Sequence, residues 1–207
     1  EGEDQVALFT PKRPLPRPSI PEPLAGPEGK RECPECPLMI PLGGGAFLMG
    51  SPAGVGESTE HPQREITLAP YSLSRSEITV AQFRAFVDDS GYQPADGCFT
   101  WTATGKMRKS AEASWRDPGY SITDSSPVSC VNWQDATRYV AWLNQKTGGG
   151  YRLASEAEFE FAARAGSQSP YFWGAASGVC GAANGAGAES RFRWRNRACD
   201  DGAPTVA

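Results

Sequence analysis

The chain has 207 residues and a mass of 22.1 kDa, room for one domain or for one domain with a tail. A net charge of −4 and an isoelectric point near 5.2 argue against binding to nucleic acid or to an anionic membrane. No stretch is apolar for long enough to span a bilayer, and 23 Gly with 18 Pro predict a loop-rich fold, a disordered attachment, or both.

The prolines gather at the start. Residues 1–32 carry Pro11, Pro14, Pro16, Pro18, Pro21, Pro23 and Pro27 among charges. Such a segment buries too little apolar surface to offset its ordering entropy, which predicts an extended arm or linker. A preformed polyproline conformation also makes it a candidate recognition ligand. The folded part, residues 33–207, is expected to begin at Cys33. Met39-Ile40-Pro41 and Phe47-Leu48-Met49 flank a Gly43-Gly44-Gly45 turn, and Glu65–Leu68 and Tyr71–Leu73 read as short strands.

Three helix starts follow. Thr79 with Gln82 is a capping box, and Val80, Phe83 and Val87 line one face until Gly91. Residues 92–126 then show little periodicity, as a functional or disordered loop would. Asn132 with Asp135 is a related cap, followed by Ala136, Tyr139, Val140 and Leu143 at the interval of one helix face. In the third start Ser155 caps and Glu158 can reach back to the Ser155 amide. Glu156 and Glu158 stand at the positive helix end and Arg164 near the negative one, with Gly166 expected as the left-handed stop.

Few residues suggest chemistry directly. His61, the only histidine, lies in a polar Glu-His-Pro turn, which predicts a surface residue and rules out a metal site with two His ligands. Cys33-Pro-Glu-Cys36 has no second such pair to make a zinc ribbon, so a local disulfide is expected. Cys98 and Cys130 flank the long irregular stretch, and Cys180 and Cys199 flank a Gly/Ala-rich one. Local pairing of each couple would remove on the order of 3 kcal/mol of unfolded-state entropy per loop. Six cysteines still leave the connectivity open. Their even number predicts an oxidising compartment, hence export to the periplasm or outside. Residue 1 is Glu rather than Met, so a removed secretory signal or a chosen boundary explains the start.

The third helix is spelled Tyr151-Arg-Leu-Ala-Ser-Glu-Ala-Glu-Phe-Glu-Phe-Ala-Ala-Arg-Ala-Gly166. That wording resembles the formylglycine-generating enzyme family, also called sulfatase-modifying factors. Ala154-Ser155 stand for the family's Pro-Thr, Phe159 for its Trp and Phe161 for its Tyr. Further family wording occurs in order: Gly44 to Ser51, Glu60-His61-Pro62, Ser76 to Phe83 and Pro127 to Ala136. The resemblance implies an α+β, loop-rich fold related to C-type lectins, with short strands and three short helices. It implies conversion of a sulfatase cysteine to formylglycine, using O₂ and a copper ion bound by two cysteines. The family's Cys-pair region, with its Gly-Asn-Val-Trp-Glu-Trp and Arg-Gly-Gly-Ser segments, does not occur here, and none of the six Cys falls on the catalytic positions. Two helix cysteines that the vertebrate enzyme uses for disulfides are Val140 and Ala163 here.

The expectation is therefore the N-terminal part of such a domain, with its C-terminal part missing. Its partners would be a polypeptide substrate or a second chain completing the fold, and catalysis would need the missing region to supply copper ligands. The alternative is a non-catalytic binding or scaffold module on the same fold. In the family an Ala-Asn segment after Tyr-x-Trp-Gly, here Tyr171 to Gly174, helps hold a structural Ca²⁺. Asn184, Gly185 and Asn196 are the corresponding candidates, and an ordinary Asn-Gly turn is the competing reading. Arg191, Arg193, Arg195 and Arg197 are expected to form a solvated rim.

Overall fold

The computed structural model describes residues 28–102, 106–174, 176–185, 187, 188, 193, 195–198 and 200, the side chains of 176, 177 and 180 excepted. Of the predicted arm, residues 1–27 lie outside this description; residues 28–32 lie within it, and Lys30 exchanges two backbone hydrogen bonds with Met39, 2.8 and 2.9 Å.

The architecture is α+β with short strands and three helices. The strands are β1 (Met39–Leu42), β2 (Gly45–Met49), β3 (Arg64–Leu68), β4 (Tyr71–Ser74), β5 (Cys98–Trp101) and β6 (Met107–Ser110); the helices are α1 (Val80–Ser90), α2 (Trp133–Thr147) and α3 (Glu156–Arg164). β1 pairs with β4 and β2 with β3, both antiparallel. Leu42 faces Tyr71 and Gly45 faces Leu68, so one register runs through both ladders. The glycine-rich turn is therefore a kink in a single long hairpin arm. At its bend Gly44 has φ 67°, and a Cβ there would overlap the Leu68 carbonyl and Ala69 backbone. Only glycine fits that combination.

All three helices start with complete capping boxes: Thr79 with Gln82, Asn132 with Asp135, and Ser155 with Glu158. α1 and α2 end on left-handed Gly91 and Gly148. α3 departs from expectation. Its left-handed cap is Ala165, φ 47°, with Gly166 left-handed after it, so the chain turns one residue early and places an alanine in a strained region.

The core lies between α1 and α2. Phe83 and Phe86 from α1 meet Tyr139 and Trp142 from α2, and Phe83 also meets Trp115 at 5.2 Å between ring centroids. Such edge-on and tilted pairs add about 0.5–1.5 kcal/mol each beyond area burial. Two polar groups at this junction are satisfied: Trp142 Nε1 donates to Asp89 at 2.6 Å, and the buried Asp135 carboxylate accepts from Tyr92 Oη and the Asn132 amide.

The stretch 92–126, read as irregular, contains the β5–β6 hairpin and delivers the buried Trp115. β5 and β6 are four residues each, with Met107, Arg108 and Lys109 all exposed, so no alternation marks them. Cys98–Cys130 ties this stretch to the approach to α2, and Cys33–Cys36 closes locally; both pairings are those expected from chain order. Cys199 and the Cys180 side chain lie outside the described residues.

The kink and an ordinary cap should respond differently to a methyl group. Gly148 is left-handed but faces open space, so Gly148→Ala should cost about 1 kcal/mol of stability. Gly44→Ala adds backbone overlap and should cost about 3 kcal/mol or more. Urea denaturation of the two variants measures the difference.

Candidate functional site

α3 does not join the α1–α2 core. Phe161 packs on Phe47 and Tyr71, the Tyr71 hydroxyl donates to the Glu158 carbonyl at 2.6 Å, and Glu160 accepts from the Gly50 amide at 2.8 Å. Arg164 pairs with Glu160 at 2.7 Å and donates to the Gly50 carbonyl at 3.0 Å. α3 is thus fastened to the kinked hairpin, and a cavity of about 960 Å³ stays open between hairpin, α2 and the 149–154 segment.

The walls come from identifiable sequence features. Ala136, Tyr139, Val140 and Leu143, one stripe of α2, line it together. Across from them stand Met39, Pro41, Tyr71 and Leu73 of β1 and β4. Tyr151, Arg152 and Leu153 enter from the segment before α3, and Phe159, 65% exposed, stands on α3 itself. The α2 stripe reads in sequence as plain core. Tyr139 and Leu143 do belong to the core, but Ala136 and Val140 are only half-buried because the cavity takes their outer side.

Charge and hydrogen bonding in the cavity are uneven. Arg152 grips Glu158 with two nitrogens, 2.6 and 2.5 Å, and the Ser155 amide donates to the same carboxylate at 2.8 Å. The Arg152 guanidinium first, and the Ser155 amide after it, hold the Glu158 pKa down to about 2. Lys30 pairs with Glu32 at 3.1 Å and lowers its pKa. Burial pushes Tyr139 well above the usual tyrosine range, with Tyr151 beside it adding to the rise. The Tyr139 side chain lines the cavity, while its hydroxyl is buried out of reach of solvent and has no hydrogen-bond partner among the described residues. With such walls the site suits a largely apolar ligand.

The other sequence candidates sit apart from it. His61 is exposed, as expected, and so are Arg193 and Arg197; Arg195 is half-buried, with its Nε out of solvent, and so departs from the expected solvated rim, and Arg191 lies outside the described residues. Asn184 and Gly185 follow the 3-10 turn at 176–181, and the Gly185 carbonyl accepts from the Gly187 amide at 2.9 Å. Asn196 Oδ1 accepts from the Ala198 amide at 3.1 Å, a local turn. These three supply neutral oxygens, whereas calcium takes about 6–8 oxygen ligands, so they make at most part of a shell. Among the described residues no group of three or more His, Cys, Asp or Glu is placed to hold a metal. Cys33, Cys36, Cys98 and Cys130 are all in disulfides, so these four do not fit a copper ion held by two thiolates.

A family model described as "Sulfatase-modifying factor enzyme 1-like domain" matches residues 25–205. The chain is 35% identical over 163 residues to the inactive C-alpha-formylglycine-generating enzyme 2 of Mus musculus, covering 67% of this chain and 51% of that protein. To the formylglycine-generating enzyme of Thermomonospora curvata it is 35% identical over 163 residues, covering 66% and 52%. Among solved structures it is similar to PvdO from Pseudomonas aeruginosa, with a TM-score of 0.62, 34% identity, and coverage of 72% of this chain and 55% of that one. The chain spans about half the length of the curated relatives it matches.

Glu158 makes stability depend on pH. Its folded pKa, about 2, lies below the ordinary 4.5, so its contribution is present above about 4.5 and is lost as pH falls towards 2. Melting temperature followed from pH 5 down to pH 2 should fall in the parent. Glu158→Gln should start lower at pH 5 and lose less over the same range.

Proposed function

The chain belongs to the sulfatase-modifying factor enzyme 1-like family, and on that premise we propose that it supplies a polypeptide-recognition cleft rather than the oxidising centre. The observation that carries this reading is the open cavity walled by Tyr71, Tyr139, Tyr151 and Phe159. An extended peptide offers apolar side chains to Tyr71, Leu73, Val140 and Phe159. In the family's reaction copper and O₂ would supply the oxidation of the substrate cysteine, and the four described cysteines, all in disulfides, would not hold that ion. The described residues of this chain would bind and orient the polypeptide and keep water from it. Relatives named as formylglycine-generating enzymes and relatives named inactive both match, so membership alone does not assign catalysis.

Two further assignments go with this reading. The two disulfides and the lack of any described helix long and apolar enough to cross a membrane are compatible with export, and we place the protein in an oxidising compartment. We also assign Asn184, Gly185 and Asn196 to a structural Ca²⁺, completed by further oxygens.

With copper(I), O₂ and a sulfatase-derived cysteine peptide, this chain alone should bind the peptide saturably and turn none of it over. Phe159→Ala removes a cavity wall ring that is 65% exposed, so it should weaken binding by up to about tenfold. Formation of aldehyde on the peptide would contradict the assignment. For calcium, the melting temperature should rise from EDTA to added Ca²⁺ in the parent and stay level in N184A/N196A. No rise in the parent removes the calcium site.

A further inference from the structure

We propose that the cavity has an internal occupant: the segment Pro11–Pro18 of this same chain, which docks there and competes with outside peptides. The proposal rests on the reading of the cavity as a polypeptide site, and three independent observations support this particular occupant.

Attachment comes first. Glu28, Lys30 and Glu32 line the cavity, and they are where the proline-rich arm joins the fold. The chain from Pro18 to Glu28, at about 3.1 Å per residue in polyproline geometry, reaches roughly 30 Å. The cavity is open and runs along β1, β4 and α2, so the arm has ample length to turn back onto it.

Charge comes second. Pro11 to Pro18 reads Pro-Lys-Arg-Pro-Leu-Pro-Arg-Pro, with Lys12, Arg13 and Arg17 and no acid. The cavity carries four carboxylates, Glu28, Glu32, Glu77 and Glu158, against Lys30 and Arg152. Lys30 is taken by Glu32 and Arg152 by Glu158, which leaves Glu28 and Glu77 without a cationic partner among the described residues.

Aromatic packing comes third. Aromatic walls are the surface on which proline-rich segments dock elsewhere, and Tyr71, Tyr151 and Phe159 provide one. A tethered segment acts at an effective concentration near the millimolar range, so even weak docking excludes an outside peptide.

The test uses the full chain with Leu15 replaced by the photo-cross-linker p-benzoylphenylalanine. Irradiation should give adducts within one chain, on peptides containing Tyr71, Tyr139 or Tyr151. K12E/R13E/R17E should cut that yield at least fivefold and strengthen binding of the sulfatase-derived peptide on the order of tenfold. Adducts confined to other surfaces, or no adducts, would overturn the proposal. Adducts joining two chains would overturn it in favour of a second copy's arm. If the charge-reversed chain binds the outside peptide no better than the parent, the arm proposal fails while the peptide reading stands. If cavity adducts form but neither chain binds the outside peptide, the peptide reading fails and the arm remains the occupant.

Discussion

One residue holds three parts of this fold together. Glu158, 7% exposed, closes the capping box of α3, receives both guanidinium nitrogens of Arg152, and through its backbone carbonyl accepts the Tyr71 hydroxyl. The start of α3, the segment before it and strand β4 therefore meet at a single residue. A buried charge is tolerable only when its oxygens are fully used, and here Arg152 and Ser155 use them. Arg152 itself stays largely in solvent, so the pair is desolvated on one side only, which keeps its cost low.

With that node in place, the described chain holds two separately packed bodies. α1 and α2 share an aromatic core, and α3 shares a smaller one with the kinked hairpin. Each body buries its own apolar contacts, and the space between them is left as a cavity walled by Tyr71, Tyr139 and Tyr151. Recognition follows from what the walls lack. They are apolar and aromatic, with carboxylates at Glu28 and Glu77 that have no cationic partner among the described residues, a surface that favours an extended, apolar and cationic segment over a compact polar one.

What could be read from the residues was local. The three caps depend on side chains three positions apart, and Thr79, Asn132 and Ser155 each announce theirs. The Cys98–Cys130 pairing follows chain order. The features that escaped depend on distant partners. The Gly43-Gly44-Gly45 run looks like any turn until Leu68 and Ala69 lie across from it and make it a kink. Ala165 takes the cap one residue before Gly166, a position that Gly166 seemed better suited to fill. β5 and β6 expose most of β6 and so lack a period. The cavity was hidden most fully, because Tyr139 and Val140 share one apolar stripe whether a neighbour or a space lies beyond it. An aromatic hydroxyl inside such a stripe was the one available signal.

The cleft reading is tested most directly by hydrogen exchange on the full chain carrying K12E/R13E/R17E, with and without saturating sulfatase-derived cysteine peptide. The account predicts slower exchange in the peptide complex at Tyr71–Ser74 and at residues 149–153, with α1 unchanged. Protection confined to the β5–β6 hairpin or to α1, or none anywhere, would contradict it.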